Sequence, residues 1–227
     1  MDKKEKIAIA IDGPAGAGKS TISKIISKKL KILYLDTGTM YRAVALKAIR
    51  EGIDTLDREK VSELVKNIDL KVVYSGESQR ILLDNEDVTS FIKTPEVSIG
   101  ASNVAVIPEV RLKMVELQRE IASKSSVVMD GRDIGTYVLP NAEFKFFLTA
   151  SVEERAKRRY NELISNNNHN VSFEDVKKDI EYRDKNDSSR EFAPLSKAAD
   201  AIEIDTTNMN IEQVAKKIME YVENNVY

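Results

Sequence analysis

Two features of the 227-residue sequence predict an α/β fold with a parallel sheet that helices cover on both faces. Short apolar runs alternate with longer segments in which apolar residues recur at helical spacing. Each run is mostly apolar, as is typical of parallel strands that are buried on both faces. The five predicted strands are residues 7–11, 32–35, 126–129, 144–148 and 201–204.

Helices are predicted between the first strands. Apolar residues recur at helical spacing from about Ser20 onward, directly after the first strand. A helix from about Thr39 to Glu51 is predicted to end at Gly52, because glycine suits the left-handed position after a helix end. The apolar residues between 61 and 68 indicate another helix.

The middle of the chain changes character. Residues 70–74 and 81–84 are strand-like runs around a polar segment, which predicts a small antiparallel hairpin rather than another βαβ unit. Helices 95–106 and 108–123 follow, and each has proline at its first position.

Two highly charged helices are predicted near the end of the chain, opened by the N-caps Ser151 and Ser172 and joined by an asparagine-rich loop. A final helix starts at about Ile211. The hairpin and the charged helix pair are interpreted as insertions into the α/β core. They are either plain loops or segments that cover a substrate, and the phosphate chemistry below favours the second interpretation.

Composition excludes several classes of protein. The net charge is -2, whereas non-specific nucleic-acid binding needs a basic excess, so we expect no nucleic-acid partner. The absence of cysteine excludes disulfides, thiolate catalysis and cysteine-ligated zinc. The single histidine, His169, lies in a polar run and is interpreted as a solvated loop residue.

The charged residues 1–6 do not resemble a signal peptide, and no apolar stretch approaches the ~20 residues of a membrane span. We therefore expect a cytoplasmic protein without a membrane partner.

The strongest motif is a phosphate-binding loop. Residues 13–20 fit the pattern G-x-x-x-x-G-K-[ST] between a predicted strand and a predicted helix. Glycines allow successive backbone N–H groups to surround phosphate oxygens at a helix N-terminus. Lys19 is expected to hold the β- and γ-phosphates of ATP, and the Ser20 hydroxyl to bind Mg²⁺. The alternative is a glycine-rich turn with a surface lysine. The predicted ATP-binding residues are Gly13, Pro14, Ala15, Gly16, Ala17, Gly18, Lys19, Ser20 and Thr21.

This motif predicts a bound nucleoside triphosphate without specifying the reaction. A guanine-specific switch would carry an Asn-Lys-x-Asp element, which the sequence lacks, so a kinase is favoured. Four further motifs resemble those of bacterial cytidylate kinases, in the same order along the chain. They are Asp-Thr-Gly-Thr-Met-Tyr-Arg at 36–42, Asp-Gly-Arg-Asp-Ile-Gly-Thr at 130–136, Glu-Arg-Ala-Lys-Arg-Arg at 154–159, and Arg183-Asp184 with Asp187 and Arg190.

The resemblance implies a five-stranded parallel-sheet P-loop kinase core, an inserted domain that binds the nucleoside monophosphate, and a short lid. The core would comprise residues 1–36, 107–152 and 191–227, the inserted domain 37–106, and the lid 153–190. Two positions depart from relatives of that family: many of them have serine in place of Thr37, and some have Lys-Gly in place of Lys19-Ser20.

Arginines are needed at the acceptor site because two groups of phosphates repel each other, and planar guanidinium groups match phosphate oxygens. Arg42 and Arg132, assisted by Thr37 and next to Asp36, are the candidates for the acceptor phosphate. A helix-surface ion pair is the alternative for Arg42. The resemblance assigns base recognition to Ser102, Arg111 and Asp133. For Ser102 and Arg111 the alternative is a position on a solvated helix face. The resemblance assigns the ribose hydroxyls to Arg183 and Asp187, which alternatively pair with each other.

Several basic residues are predicted to stabilise charge during phosphoryl transfer. On the 154–159 helix the alternative is an ordinary surface pair between Glu154 and Arg158. Asp130 is the candidate that orients Mg²⁺ with Ser20, and Asp12 and Asp36 are further candidates. The predicted catalytic residues are Lys19, Arg132, Arg155, Arg159 and Arg190.

The sequence thus predicts Mg²⁺-dependent transfer of the ATP γ-phosphate to CMP, and to dCMP, by a monomeric enzyme. No general base and no covalent intermediate are needed, because the attacking oxygen belongs to an ionised phosphate. The alternatives are a kinase for UMP or AMP, a nucleotide-binding regulatory module without turnover, and a nucleic-acid-binding ATPase.

Overall fold

The computed structural model describes residues 6–76, 78–165 and 171–225. The predicted asparagine-rich loop, with His169, lies largely outside these residues. The strands are β1 (Ala8–Asp12), β2 (Leu33–Asp36), β3 (Leu70–Ser75), β4 (Ser78–Leu83), β5 (Glu86–Asp87), β6 (Val127–Gly131), β7 (Phe144–Thr149) and β8 (Ile202–Asp205). The α-helices are α1 (Lys19–Leu30), α2 (Thr37–Arg50), α3 (Arg58–Lys66), α4 (Pro95–Val104), α5 (Pro108–Lys124), α6 (Val152–Ser165), α7 (Phe173–Ser189) and α8 (Ile211–Asn225).

The main sheet has five parallel strands in the order β2-β6-β1-β7-β8, and it confirms the predicted fold class. Successive residues of β1 face opposite layers. Ile9 and Ile11 pack in the layer that includes residues of α1 and α8, whereas Ala10 packs in the layer that includes residues of α2 and α5. This two-sided burial explains why the strand is continuously apolar. None of the helices within the described residues is long and apolar enough to cross a membrane.

The predicted hairpin is present as β3 and β4, and the short strand β5 extends it into a second, antiparallel sheet. The prediction missed β5, which is two residues long. The helix expected from Thr39 begins at Thr37, because the side chain of Asp36 caps it by accepting a hydrogen bond from the Thr39 amide. Gly52 has a φ of +67° after the end of α2, as its position in the sequence predicts.

The carboxyl ends of β2, β6 and β1 lie side by side. Asp36 is in register with Asp130, and Asp12 is in register with Gly131. Ligands of parallel α/β sheets bind at this edge, outside the carboxyl ends of the strands. The phosphate-binding loop and the 130–136 motif therefore meet at one place, although more than a hundred residues separate them in the sequence.

Candidate functional site

An open cavity of about 1700 Å³ lies at this edge of the main sheet. The phosphate-binding loop forms one wall, α2 with parts of β4 and α4 forms another, and residues of α6 and α7 form a third. Residues 16–21 reach the cavity wall, but Gly13, Pro14 and Ala15 do not. These three lie at the base of the loop, and their predicted contact with the nucleotide stays a prediction.

Glycines allow the loop to fit between β1 and α1. Gly13 has a φ of +148°, and a Cβ atom there would lie 2.0 Å from the carbonyl oxygen of Leu148. Gly16 has a φ of +75°, and a Cβ atom there would lie 3.0 Å from the carbonyl oxygen of Arg155. Gly18 precedes α1, and no side chain among the described residues caps this helix. The first N–H groups of α1 consequently face the cavity without a side-chain partner, as anion binding requires.

Lys19 is buried, and its ammonium group donates a 2.7 Å hydrogen bond to the carbonyl oxygen of Pro14. Burial, and next the positive charge of Arg132, lower the pKa of Lys19 to about 7. An anion in the cavity would reverse this effect, because it would favour the charged form of the amine. A phosphate bound next to Lys19 would thus stabilise its charged form.

Ser20 and Asp130 form a pair suited to a magnesium ion. The Ser20 hydroxyl donates a 2.7 Å hydrogen bond to Oδ2 of Asp130, while Oδ1 is buried and makes no hydrogen bond of normal geometry among the described residues. Burial, and next the charge of Asp36, raise the pKa of Asp130 to about 7. Within the described residues no three acidic or histidine side chains cluster as a metal site. This donor set fits Mg²⁺, which commonly uses one or two protein ligands together with water and substrate phosphates.

Asp12 and Asp36 have other uses. The carboxylate of Asp12 accepts hydrogen bonds from the amides of Ile134 at 2.8 Å and Gly135 at 2.7 Å. It thereby holds a short π-helical turn, Ile134–Val138, and burial raises the pKa of Asp12 to about 6. Asp12 does not reach the cavity wall, and to bind Mg²⁺ its carboxylate would have to give up these hydrogen bonds. Asp36 lines the cavity, and there it caps α2.

Three arginines predicted for the acceptor converge on the cavity. Arg132 pairs with Asp187 at 2.6 Å, whereas Arg42 makes no hydrogen bond or ion pair within the described part of the chain. Burial, then repulsion from Arg132 and Arg42, lower the pKa of Arg183 to about 9. Asp187 pairs with Arg132 and, at 3.5 Å, with Arg190, so the alternative that it pairs with Arg183 is not observed.

The Thr37 hydroxyl donates a 2.7 Å hydrogen bond to the carbonyl oxygen of Asp130. Its predicted contact with an acceptor phosphate therefore requires the hydroxyl to exchange this partner. Until it does, Thr37 fixes the start of α2 against the end of β6.

A buried group of polar residues closes the acceptor end of the cavity. Arg111 pairs with Asp133 at 2.5 Å, and its guanidinium lies 5.6 Å from the ring centre of Tyr41. Arg190 lies 3.5 Å from the other oxygen of Asp133. Ser102 lines the same cavity and accepts a 3.2 Å hydrogen bond from Asn186. The structure thus brings the predicted base-recognition residues together and places Arg190 beside them, rather than beside the phosphate-binding loop.

The arginines of α6 separate into different roles. Arg159 lines the cavity and pairs with Glu162. Arg158 makes the expected pair with Glu154 at 3.0 Å, yet it also lines the cavity and is held by Thr206. Arg155 is absent from the cavity wall, because its guanidinium is buried behind the loop and bonded to backbone carbonyls. The predicted contact of Arg155 with the transferred phosphate would require the guanidinium to leave these partners.

Comparison with known proteins is consistent with these features across nearly the whole chain. The family model described as cytidylate kinase matches residues 9–224. The chain belongs to the cytidylate kinase family. It is 53% identical over 213 residues to a cytidylate kinase of Clostridioides difficile, covering 94% of this chain and 96% of that one. It is 50% identical over 219 residues to the cytidylate kinase of Bacillus subtilis, covering 96% and 97% of the two chains.

Cytidylate kinases are nucleoside monophosphate kinases, so the chain is a nucleotide-binding phosphotransferase. A solved structure of an uncharacterized protein from Eubacterium ventriosum superposes with a TM-score of 0.53 at 14% identity, covering 97% of this chain and 100% of that one. At this identity the likeness supports the fold alone.

Sequence reasoning missed several residues that support the cytidylate kinase site. Tyr41, whose ring contacts the guanidinium of Arg111, belongs to the 36–42 motif, but the sequence did not predict this contact. Gln79 on the hairpin donates a 2.8 Å hydrogen bond to the Thr39 hydroxyl and accepts one from the Asp36 amide. No local pattern marks Gln79, because its partners come from another part of the chain. Asp184, in the Arg183-Asp184 motif, contacts the phosphate-binding loop.

Proposed function

We propose that the chain transfers the γ-phosphoryl group of ATP directly to CMP, and also to dCMP, with release of ADP. The names of its relatives support CMP as the acceptor. The ATP-binding loop and the arginine-lined acceptor end share one cavity, which supports direct transfer between two bound nucleotides.

The observation that carries this proposal is the crowding of positive groups in the cavity. Burial first, and next the repulsion among Lys19, Arg132 and Arg183, lower the pKa of Lys19 and of Arg183, and Arg42 adds to the repulsion at Arg183. A protein tolerates such crowding where an anionic ligand offsets it. Two sets of phosphate groups supply that compensation, one on the donor side and one on the acceptor side.

Positioning and electrostatics account for the catalysis. Backbone N–H groups of residues 16–20 and the Lys19 ammonium bind the donor phosphates. Arg132 and Arg42 bind the acceptor phosphate, and Arg159 is close enough to the shared cavity to stabilise the transferred group. No residue has to remove a proton, since the attacking phosphate oxygen is already ionised.

Ser20 and Asp130 would hold Mg²⁺. When bound, this ion neutralises charge on the donor phosphates. The buried Oδ1 atom of Asp130 supports the assignment, because it makes no hydrogen bond of normal geometry among the described residues and lacks the compensation that a cation would give.

Base selection rests on Asp133, Arg111 and Ser102. The Asp133 carboxylate can accept from the amino group of cytosine, which uracil lacks. Sites built for a hydrogen-bonding group reject analogues without it, because a buried polar group is then left unpaired.

Arg183 and Asp187 are the candidates for the ribose. Residues 37–106 would act as the acceptor-binding domain and residues 153–190 as the lid.

The test is ADP release from Mg-ATP with CMP, dCMP, UMP, AMP or GMP in turn, repeated with Arg132→Ala. We expect rapid turnover with CMP and dCMP, slow turnover with the others, and a large loss in the variant. Preference for another monophosphate would overturn the base assignment alone. ATP binding without any monophosphate-dependent ADP release would instead favour a regulatory module. The cytoplasmic location and the monomeric state stay predictions.

A further inference from the structure

Asp184 on α7 holds the backbone of the phosphate-binding loop. Its Oδ1 atom accepts a 3.1 Å hydrogen bond from the Ala15 amide. Its Oδ2 atom pairs with Arg155 at 2.5 Å, and the same guanidinium nitrogen donates to the Ala15 carbonyl oxygen at 2.9 Å. Both sides of Ala15 are thus bound by one ion pair. Arg155 is itself anchored, because its Nε donates to the carbonyl oxygen of Ala150 at 2.9 Å.

The same helix contacts the acceptor side of the cavity. Asp187, one turn after Asp184, pairs with Arg132 at 2.6 Å. Asn186 donates a 3.2 Å hydrogen bond to the hydroxyl of Ser102 on α4. Four residues before Asn186, the Tyr182 hydroxyl donates to the side chain of Asn103, also on α4, at 2.7 Å.

Helix α7 therefore lies between the two substrate regions and is bonded to both. Because a helix moves as a rigid element, a shift that optimises its contacts with an acceptor nucleotide also moves Asp184 relative to Ala15. The reverse holds as well, since an equilibrium coupling between two sites is reciprocal. A contiguous set of bonded groups with such a shared element is the physical requirement for coupling.

We propose that Asp184 and Arg155 are positioning residues that couple occupancy of the acceptor site to the conformation of the phosphate-binding loop. They do not contact the transferred phosphate. Through Ala15 they set the loop geometry, and through α7 that geometry depends on the acceptor. Binding of the monophosphate consequently strengthens binding of the triphosphate. This inference depends on the proposed function, since it takes both substrates to occupy the one cavity.

The experiment measures the dissociation constant of the non-hydrolysable analogue β,γ-imido-ATP with Mg²⁺, without and with saturating CMP. In the unmodified protein we expect CMP to tighten binding by about fivefold or more, the lower end of usual couplings between sites. Asp184→Asn should bring this ratio close to one, while the dissociation constant for CMP alone stays near its original value. Glu181→Gln, an exposed carboxylate on the same helix, is the matched control and should keep the original ratio.

Two results would overturn the inference. The ratio is one in the unmodified protein, or Asp184→Asn keeps the original ratio, as it would if the variant weakened analogue binding equally with and without CMP through a merely structural effect. If CMP gives no turnover, the proposed acceptor is wrong, and the monophosphate that does give turnover replaces CMP in the same measurement. The two failures are therefore distinguishable.

A second variant guards against loss of folding in Asp184→Asn. Arg155→Lys keeps a positive charge but lacks the planar fork that reaches Ala15, Ala150 and Asp184 together. It should also reduce the ratio, and the double variant should lose little more than either single variant, because both act through one ion pair. Additive losses in the double variant would contradict a shared role.

Discussion

The hydroxyl of Ser20 donates a 2.7 Å hydrogen bond to Oδ2 of Asp130, and it joins the first turn of α1 to the end of β6. Arg132 follows two residues later and lines the acceptor part of the cavity. The groups proposed to bind the donor phosphates and the acceptor phosphate are thus fixed relative to each other by one strand end. Such short, rigid connections favour a reaction that depends on positioning.

Replacing the buried lysine should separate activity from stability. We expect Lys19→Met to lower kcat/KM by about 100- to 1000-fold, because it removes a positive group from the transferred phosphates. The free energy of unfolding should not fall, since burial already disfavours the charged amine in the free protein. Steady-state kinetics and urea unfolding measure the two effects, with the exposed Lys29→Met as control. Near-normal turnover in Lys19→Met would contradict the assignment.

Base recognition can be tested on two serines of one helix. Ser102 lines the cavity, whereas Ser98, one turn earlier, donates its hydroxyl to the carbonyl oxygen of Thr94 and does not reach the main cavity. We expect Ser102→Ala to raise the KM for CMP by about tenfold, the usual worth of one hydrogen bond, and to leave the KM for ATP unchanged. Ser98→Ala should leave both constants near their original values. Equal effects of the two substitutions would exclude Ser102 from the base site.

The loop glycine Gly13 has a steric role that unfolding experiments can measure. In Gly13→Ala the new methyl group meets the Leu148 carbonyl, so we expect the free energy of unfolding to fall by about 3 kcal/mol or more. Gly52 also has a positive φ but faces open space, so Gly52→Ala should cost about 1 kcal/mol. Similar losses in the two variants would show that backbone strain alone, without the clash, governs Gly13.

The raised pKa of Asp12 makes stability depend on pH. The folded protein binds a proton at Asp12 at about pH 6, against 3.8 for the ordinary carboxyl group. The contribution of Asp12 to the free energy of unfolding is therefore largest below pH ~4, and it falls as the pH rises to about 6. A tenfold change in proton affinity is about 1.4 kcal/mol, so the fall amounts to roughly 3 kcal/mol.

Asp12→Asn should lose this part of the pH dependence, although the amide also breaks one of the two hydrogen bonds to Ile134 and Gly135. The measurement is the difference in unfolding free energy between variant and original protein at pH 4, 5, 6 and 7. A difference that stays constant across this range would contradict the assigned pKa. Glu181→Gln, on the exposed face of α7, controls for general charge effects.

Local patterns predicted most of the fold. The five core strands are mostly apolar runs, and residues 13–20 have the glycine, lysine and serine spacing that is typical of a phosphate-binding loop. Helix starts were predicted less accurately, because capping by Asp36 lets α2 begin two residues earlier than the apolar pattern indicated. The short strand β5 was missed because two polar residues carry no strand signal.

The site was harder to predict where side chains bind distant backbone. Arg155 and Arg159 lie on one charged helix, and the sequence does not indicate which of them faces the cavity. The partner of Arg155 is Ala15, 140 residues away. Asp12 looked like a metal ligand from its place after a strand, and only the position of Ile134 shows its use.

The most direct test of the proposed reaction follows the transferred phosphate itself. ATP labelled at the γ-phosphate is mixed with the enzyme, Mg²⁺ and CMP, and the products are separated within a single turnover. The account predicts that the label appears in the β-phosphate of CDP at the same rate as ADP forms, with little free phosphate. Label released mainly as inorganic phosphate, or an equal transfer to UMP, would contradict it.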